Sequence, residues 1–388
     1  MPSVTRGPRR DVARSLLLLG AMLAALVAVR WSLTGSLSEP LAPPVPTVPD
    51  AVQEAPQRLG ELRGGLLYLG GRRPLVAELG SGALAPLPAG QDRPTRVLRH
   101  GRFVLLTANG RVSVLSPSSR DGWNRPRPLG QAGVVLPSSR PDRAWLVDDQ
   151  QARPPESTYL LQEVDLDDGR RLRTLSLPYD AGPVAVVAGG VLTHDPAAGM
   201  QLRDLRSGRV RQRLGTGLTF LDAHDGLVAY LATDGLHLRD LGSRRDRMVA
   251  PPAGGSGWFA PGTGLPADTV CCLQSAAFAP DGRSLATFVR LAGPSSPGIA
   301  LVDVERGQSR LLPGSAGASP VGCLPCLGWS PGGWLFFFAA TPQPAAVAAW
   351  RPGRERATVL DLDLGLGGLS GAVPSGLAAA DGAIRPTR

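Results

Sequence analysis

The sequence predicts an all-β fold made of repeated four-stranded units, and three observations support this prediction. The 388-residue chain contains 49 glycines and 38 prolines, which favours short elements joined by many turns. After residue 34, glycine or proline interrupts nearly every window of helical apolar periodicity. A hairpin pattern recurs along the chain, and the hydrophobic content of 43% suits a packed core rather than disorder.

The recurring hairpin has an apolar strand that carries an acidic residue, then a turn, then a second alternating strand. The acidic residues of its five copies are Glu78, Asp165, Asp204, Asp240 and Asp303. In four copies a glycine follows four residues after the acid, at Gly82, Gly169, Gly208 and Gly307. Glycine supplies the positive φ that a tight hairpin turn needs. The copy at Asp240 reads LGSRRD and lacks this glycine.

A second motif precedes the hairpin and completes the unit. Residues 277–289, AFAPDGRSLATFV, predict two strands joined by a turn at Asp281 and Gly282. A variant copy, LGWSPGGWLFFFA, follows at residues 327–339. Each full unit therefore has four short strands in roughly 35–50 residues, the period of a propeller blade. Units start near residues 63, 97, 134, 184, 219, 274 and 325.

The segment FAPDGRSLATF (278–288), followed by IALVDVERGQSRLL (299–312), resembles a blade of the TolB-like and WD-repeat-like β-propellers. The resemblance covers roughly residues 61–366, although the Trp-Asp dipeptide of WD repeats and its Gly-His partner are absent. It implies a β-propeller, and the seven unit starts predict seven blades, with six or eight as alternatives. Residues 367–388 are rich in glycine, alanine and proline, and we expect a flexible tail there, with a closing strand as the alternative.

The N-terminal region predicts a membrane tether. Residues 1–14 form a basic cytoplasmic segment, and residues 15–33 form one transmembrane helix, a signal anchor that leaves the propeller outside. Arg30 and Trp31 occupy the zone where a cleavage site would lie. A signal peptide that is cleaved, giving a secreted protein, and a buried helix remain as alternatives. The prolines of residues 34–60 predict a semi-rigid linker of about 3 Å per residue.

The strong positive charge does not predict nucleic-acid binding. All 41 basic residues are arginine, which we interpret as codon bias of a GC-rich bacterium, and the net charge is +9. The chain is only 5% aromatic and is expected to face outward, whereas single-stranded nucleic-acid sites combine basic grooves with aromatic platforms. The arginines of residues 202–214 alternate with other residues, which predicts the solvated face of a strand.

Four cysteines occur, all late in the chain: Cys271, Cys272, Cys323 and Cys326. An even number in an extracytoplasmic protein predicts disulfides. Cys272 and Cys323 each lie six residues before the aromatic residue of a strand–turn–strand motif, Phe278 or Trp329. We therefore favour the two pairings that join neighbouring blades over the one that does not. A zinc site and a redox pair are weaker interpretations of the same residues.

The sequence contains no motif that identifies catalytic residues. The sequence lacks the nucleophile-elbow, zincin and phosphate-loop motifs, and its four histidines lie in a strand or beside turns. We predict no cofactor and no metal. The predicted function is that of a non-enzymatic binding or scaffold module for envelope proteins, peptides or glycans. The alternative is an extracytoplasmic propeller enzyme of lactonase, glycosidase or quinoprotein type, with its site at the channel mouth.

Overall fold

The computed structural model describes part of the chain, and the account below is confined to it. The described residues are 59–62, 65–70, 75–79, 84–86, 96–116, 126–148, 158–259, 276–291, 297–318, 326–339, 346–360 and 376–381. The predicted cytoplasmic segment, the anchor and residues 34–58 of the linker lie outside these ranges. The described part of the chain contains no helix with the length and hydrophobicity needed to cross a bilayer.

Within the described ranges, the strands form seven antiparallel sheets, which we number in chain order. Sheet 1 contains β1 (Gly65–Gly70), β2 (Leu75–Glu78), β3 (Leu84–Pro86) and β29 (Gly376–Asp381). Sheet 2 contains β4 (Arg96–His100), β5 (Phe103–Ala108), β6 (Arg111–Leu115) and β7 (Arg127–Gln131). Sheet 3 contains β8 (Val134–Pro137), β9 (Arg143–Asp148), β10 (Thr158–Asp165) and β11 (Arg171–Pro178). A short 3₁₀ helix, Gly60–Leu62, precedes sheet 1.

The remaining sheets continue the same meander. Sheet 4 contains β12 (Gly182–Val187), β13 (Gly190–Asp195), β14 (Gly199–Arg203) and β15 (Val210–Gly215). Sheet 5 contains β16 (Thr219–His224), β17 (Leu227–Ala232), β18 (Gly235–Asp240) and β19 (Asp246–Val249). Sheet 6 contains β20 (Gly255–Trp258), β21 (Ala276–Phe278), β22 (Ser284–Leu291), β23 (Pro297–Asp303) and β24 (Gln308–Leu311). Sheet 7 contains β25 (Leu327–Trp329), β26 (Leu335–Ala339), β27 (Ala346–Trp350) and β28 (Thr358–Val359).

The first strands of successive sheets lie beside one another, which gives the ring arrangement of a β-propeller. Strand β16 packs between β12 and β21, and β29 packs between β25 and β4. The all-β prediction and the β-propeller prediction are confirmed. The number of sheets among the described residues falls within the six to eight blades that the sequence predicts.

The ring is closed by a strand from the C-terminal segment. Strand β29 pairs antiparallel with β1, from Gly65 opposite Asp381 to Gly70 opposite Gly376. Six residues of the segment 367–388 complete sheet 1 as its innermost strand, which corresponds to the alternative of a closing strand rather than to the expected flexible tail. Pairing with β1 satisfies backbone groups on both strands, which a tail composition rich in small residues does not reveal.

Apolar clusters fill the gaps between neighbouring sheets. All six residues of β5 are buried. Phe103 and Leu105 pack with residues of sheet 3, whereas Val104 and Leu106 pack with residues of sheet 1. Successive side chains of a strand point to opposite faces of its sheet, so a strand covered on both faces is apolar throughout.

Sheet 6 has a divided inner edge. Strand β21 pairs with the first half of β22, and β20 pairs with its second half, so two short strands share the position that one strand takes elsewhere. The unit start predicted near residue 274 corresponds to β21 and misses β20, which begins at Gly255.

The connections between strands divide between two ends of the propeller. In an antiparallel meander, the turn from the first to the second strand and the turn from the third to the fourth strand lie at the same end. We call this end the turn face, and these two connections the first turn and the third turn of a sheet. The 3₁₀ helix also reaches the turn face, because Glu61 there contacts Arg351 and Arg354 of the third turn of sheet 7.

Candidate functional site

The third turns carry the acidic residues that the recurring hairpin motif singles out. One carboxylate oxygen of Asp204 accepts hydrogen bonds from the amides of Arg206 and Ser207, both at 2.9 Å. The carbonyl of Asp204 accepts a bond from the amide of Gly208 at 2.9 Å, and Gly208 has a φ of 68°. The acid therefore organises the turn, and the glycine supplies the left-handed residue that ends it.

The same arrangement occurs in other sheets. The carboxylate of Asp165 accepts the amide of Asp167 at 2.8 Å, and that of Asp303 accepts the amide of Arg306 at 2.9 Å. The glycines that follow have positive φ, 81° at Gly169 and 67° at Gly307. These acids are occupied with their own turns, which is a structural role.

Sheet 5 reaches the same turn without the glycine. Asp240 accepts hydrogen bonds from the amides of Gly242 and Ser243 at 2.7 and 2.9 Å. Arg244 stands at the fourth position after the acid and adopts a φ of 60°. An arginine therefore takes the conformation for which glycine is usual.

The remaining residues singled out by the sequence lie in a strand, in an apolar cluster or outside the described residues. Glu78 is the last residue of β2, and Gly82 lies outside the described residues. Cys326 is buried next to Leu327 in the apolar cluster of sheets 1, 6 and 7. The other three cysteines, Cys271, Cys272 and Cys323, lie outside the described residues, so the disulfides remain a prediction.

The first turn of sheet 6 contacts the first turn of sheet 5. Gly282 has a φ of 68°, and a Cβ at that position would come 2.7 Å from Cδ2 of His224. Asp281 accepts a hydrogen bond from the amide of Arg283 at 3.0 Å. Glycine is required at position 282 both for its φ and for the close approach of the histidine ring.

A groove of about 470 Å³ opens beside this contact on the turn face. It extends across sheets 4, 5 and 6, and we call it the sheet 5 groove. Its polar side chains are Arg211, His224, Asp225, Asp240 and Asp281. The volume falls in the range of ligand sites.

The groove is electrostatically asymmetric. Arg211 donates a hydrogen bond to the carbonyl of Gly189 at 2.7 Å, which holds its cation at the sheet 4 edge. The amides of Ser243 and Gly242 hold the pKa of Asp240 below its ordinary value, so this carboxylate stays ionised. The side chain of Asp225 is 81% exposed and lies 3.5 Å from Nε2 of His224. The groove is therefore lined by three carboxylates and one arginine, and that arginine is hydrogen-bonded to a backbone carbonyl.

Besides Arg211, the ionisable side chains that line the groove are three carboxylates and one imidazole. Among its described lining residues there is no serine, threonine, cysteine or tyrosine that could act as a nucleophile. The described part of the chain also contains no group of three or more His, Cys, Asp and Glu residues arranged to hold a metal ion. What the groove offers is negative charge in a concave surface.

The innermost strands next to the groove are joined by side chains. Asp222 of β16 accepts hydrogen bonds from the amides of Phe278 and Ala223 at 2.7 and 2.8 Å. The indole of Trp329 donates to the carbonyl of Ala277 at 2.9 Å. Arg99 of sheet 2 donates to the carbonyl of Trp329 in sheet 7 at 3.1 Å. Burial raises the pKa of Asp222 to about 7, against the effect of its two hydrogen bonds.

A second titratable cluster lies on the outer strands of sheet 5. His237 contacts Asp246 through Nδ1 at 3.1 Å and Asp234 through Nε2 at 2.9 Å, and its ring stacks on Tyr230 with centroids 5.2 Å apart. Burial lowers the pKa of His237, but the bonds to the two carboxylates outweigh it and raise the pKa overall. Because both ring nitrogens are engaged, the histidine has no free position for general base catalysis.

The sequence interpretation missed the residues of the groove apart from Asp240, Asp281 and Gly282. The sequence places His224 beside a turn and Arg211 on the solvated face of a strand without giving either a binding role, and Asp225 belongs to no motif. They meet because sheets 4, 5 and 6 are neighbours in the ring, and no local pattern encodes this contact. The one available signal was the position of His224 in a first turn.

No family model matches the chain, and no curated protein matches it in sequence. Solved structures with similar backbones include TolB from Acinetobacter baumannii, at 12% identity over 79% of this chain and 78% of that one, with a TM-score of 0.43. AztD from Citrobacter koseri has 12% identity over 83% and 99%, with a TM-score of 0.48. A puromycin-hydrolyzing peptidase of Mycobacterium tuberculosis has 15% identity over 81% and 56%, with a TM-score of 0.49. These similarities concern the backbone architecture only.

Proposed function

We propose that this chain is a membrane-tethered, extracytoplasmic β-propeller that acts as a non-enzymatic binding module for an envelope protein or peptide. We further propose that the sheet 5 groove receives a cationic side chain of that partner. The observation that carries the proposal is the meeting of Asp225, Asp240 and Asp281 at one concave opening. Charge complementarity of this kind steers a partner and selects against acidic ones.

The chain enters the propeller at the end that carries the groove. Glu61 and Leu62 precede β1 and lie at the turn face, which also carries the sheet 5 groove. The four cysteines suit an oxidising compartment.

Binding is tested with the full-length chain in detergent and a fluorescently labelled N-acetyl tetralysine peptide, measured by fluorescence anisotropy. We expect the double variant Asp225→Asn/Asp281→Asn to weaken binding by about five- to tenfold, because two solvent-exposed charge pairs with the peptide, each of modest strength, are lost. The matched control is Asp180→Asn, which removes an exposed carboxylate between β11 and β12, at the opposite end of the sheets. Equal losses in the double variant and the control would show non-specific attraction and overturn the proposal.

The topology is tested separately. A reporter enzyme that is active only outside the cytoplasm, fused after Arg388, should be active in cells. If instead only a reporter that requires the cytoplasm is active at this position, the tethered, outward-facing arrangement is overturned. The result of the binding measurement would not be affected.

A further inference from the structure

A second concave site lies on the turn face in sheet 7, apart from the sheet 5 groove. We call it the arginine cleft; it has a volume of about 510 Å³ and is lined by Glu61, Gly332, Gly333, Arg351, Gly353 and Arg354. The two arginines come from the third turn of sheet 7, and the two glycines at 332 and 333 come from its first turn. Glu61 comes from the 3₁₀ helix that precedes the propeller.

Both arginines are oriented by one buried aromatic ring. The guanidinium carbons of Arg351 and Arg354 lie 5.0 and 5.2 Å from the ring centroid of Trp334, which is 5% exposed. The indole of Trp350 also donates a hydrogen bond to the carbonyl of Arg354 at 3.0 Å. Cation–π contact and backbone anchoring hold two positive groups side by side without using their outer N–H groups.

Those outer N–H groups bind a carboxylate of the same chain. Glu61 accepts from Arg351 at 2.6 Å through one oxygen and from Arg354 at 3.2 Å through the other. The side chain of Glu61 is 45% exposed, so the ion pairs face solvent. Its neighbours Leu59 and Leu62 are buried in the apolar cluster, so the Glu61 side chain can leave while the backbone stays in place.

We propose that the arginine cleft is a binding site for a carboxylate of an acidic peptide segment, and that Glu61 occupies it until such a segment arrives. Two arginines that each bind one oxygen of the same carboxylate form a pair of charge-assisted hydrogen bonds, which is a common way for proteins to bind a carboxylate. Solvent-exposed ion pairs are weak, so Glu61 can be displaced by a ligand that makes additional contacts in the cleft. The occupant seen in the structure is itself a side chain of a peptide, which is why we favour a peptide carboxylate. The proposal is independent of the sheet 5 groove, whose charge is of the opposite sign.

The test uses the full-length chain in detergent and a labelled N-acetyl tetraglutamate amide, with the tetraglutamine peptide as the uncharged control. Glu61→Gln removes the competing carboxylate and keeps the stacked arginines, so we expect it to tighten binding by about three- to tenfold. Arg351→Gln/Arg354→Gln should reduce binding of tetraglutamate at least tenfold. The control Arg310→Gln removes an arginine that stacks on Trp350, with 5.3 Å between guanidinium carbon and ring centroid, and should leave binding unchanged.

Three results would overturn the proposal. The first is that Glu61→Gln binds tetraglutamate no more tightly than the natural chain, which is informative even if the arginine variant fails to fold. The second is equal binding of tetraglutamine. The third is displacement of the peptide by inorganic phosphate at the same concentration as by unlabelled tetraglutamate, which would indicate a general anion site.

Discussion

The third turns of sheets 3 to 6 use one arrangement, whereas the innermost strands of sheets 5, 6 and 7 are joined by contacts that differ from pair to pair. In the third turns, an aspartate binds the amides that follow it, and a residue of positive φ ends the turn. Between the innermost strands, a carboxylate joins sheets 5 and 6 and an indole joins sheets 6 and 7. The repeated contacts build each sheet, and the unrepeated ones fix how neighbouring sheets meet.

The largest effect should come from the indole between the innermost strands. Trp329 is 6% exposed, contacts Trp350 edge to face and donates to the carbonyl of Ala277. Trp329→Ala should lower the free energy of unfolding by about 3–5 kcal/mol, because it leaves a cavity and an unpaired carbonyl. Trp329→Phe should cost about 1–2 kcal/mol, since it mainly removes the hydrogen bond.

Both values are measured by denaturant unfolding of the purified chain. Met248→Ala is the control, because that side chain is 55% exposed and its loss should change stability by less than about 0.5 kcal/mol. If Trp329→Phe proves as costly as Trp329→Ala, the hydrogen bond rather than the packing joins sheets 6 and 7.

The second effect concerns the carboxylate that joins sheets 5 and 6. Burial raises the pKa of Asp222 to about 7, whereas the same group in the unfolded chain titrates at about 4. Between these two values the folded chain retains a proton that the unfolded chain releases, so stability falls as pH rises from about 4 to about 7. The expected loss is on the order of 4 kcal/mol.

Unfolding free energies measured across this pH range test the prediction. Asp222→Asn should flatten this part of the profile, whereas Asp180→Asn, at an exposed position, should leave it unchanged. The contribution of Asp222 is the difference in unfolding free energy between the natural chain and Asp222→Asn. If the natural chain gained stability relative to this variant between pH 4 and pH 7, the raised pKa of Asp222 would be contradicted.

The features that repeat from sheet to sheet are the ones that the sequence predicts. The starts of the units predicted near residues 97, 134, 184, 219 and 325 lie within two residues of the first strands of five sheets, which begin at Arg96, Val134, Gly182, Thr219 and Leu327. Turn residues and strand alternation repeat from unit to unit, because each sheet needs the same local conformation. Because every sheet needs the same turns and the same strand alternation, these patterns recur within the chain and can be recognised from one sequence.

The features that the sequence did not reveal depend on residues distant in the chain. Asp222 and Phe278 are 56 residues apart, and Arg99 reaches a carbonyl 230 residues away. Glu61 meets Arg354 across 293 residues. The first contact needs sheets 5 and 6 to pack, and the other two need the ring to close between its first and last sheets, so no local spacing marks any of them. The groove and the cleft belong to this class, whereas the blades belong to the first.

The smallest effect tests whether the third turns are equivalent. Arg244 adopts the φ of 60° that Gly169, Gly208 and Gly307 adopt in other sheets. Arg244→Gly should stabilise the chain by about 0.5 kcal/mol, because relief of the left-handed strain exceeds the added entropy of the unfolded chain. The reverse change, Gly208→Ala, should destabilise it by about 1 kcal/mol, since a Cβ there would also lie 3.3 Å from the carbonyl oxygen of Ser176. Thermal and denaturant unfolding of the two variants give the comparison. A loss of stability in Arg244→Gly would mean that the arginine side chain stabilises the turn of sheet 5 and that this turn is not equivalent to the others.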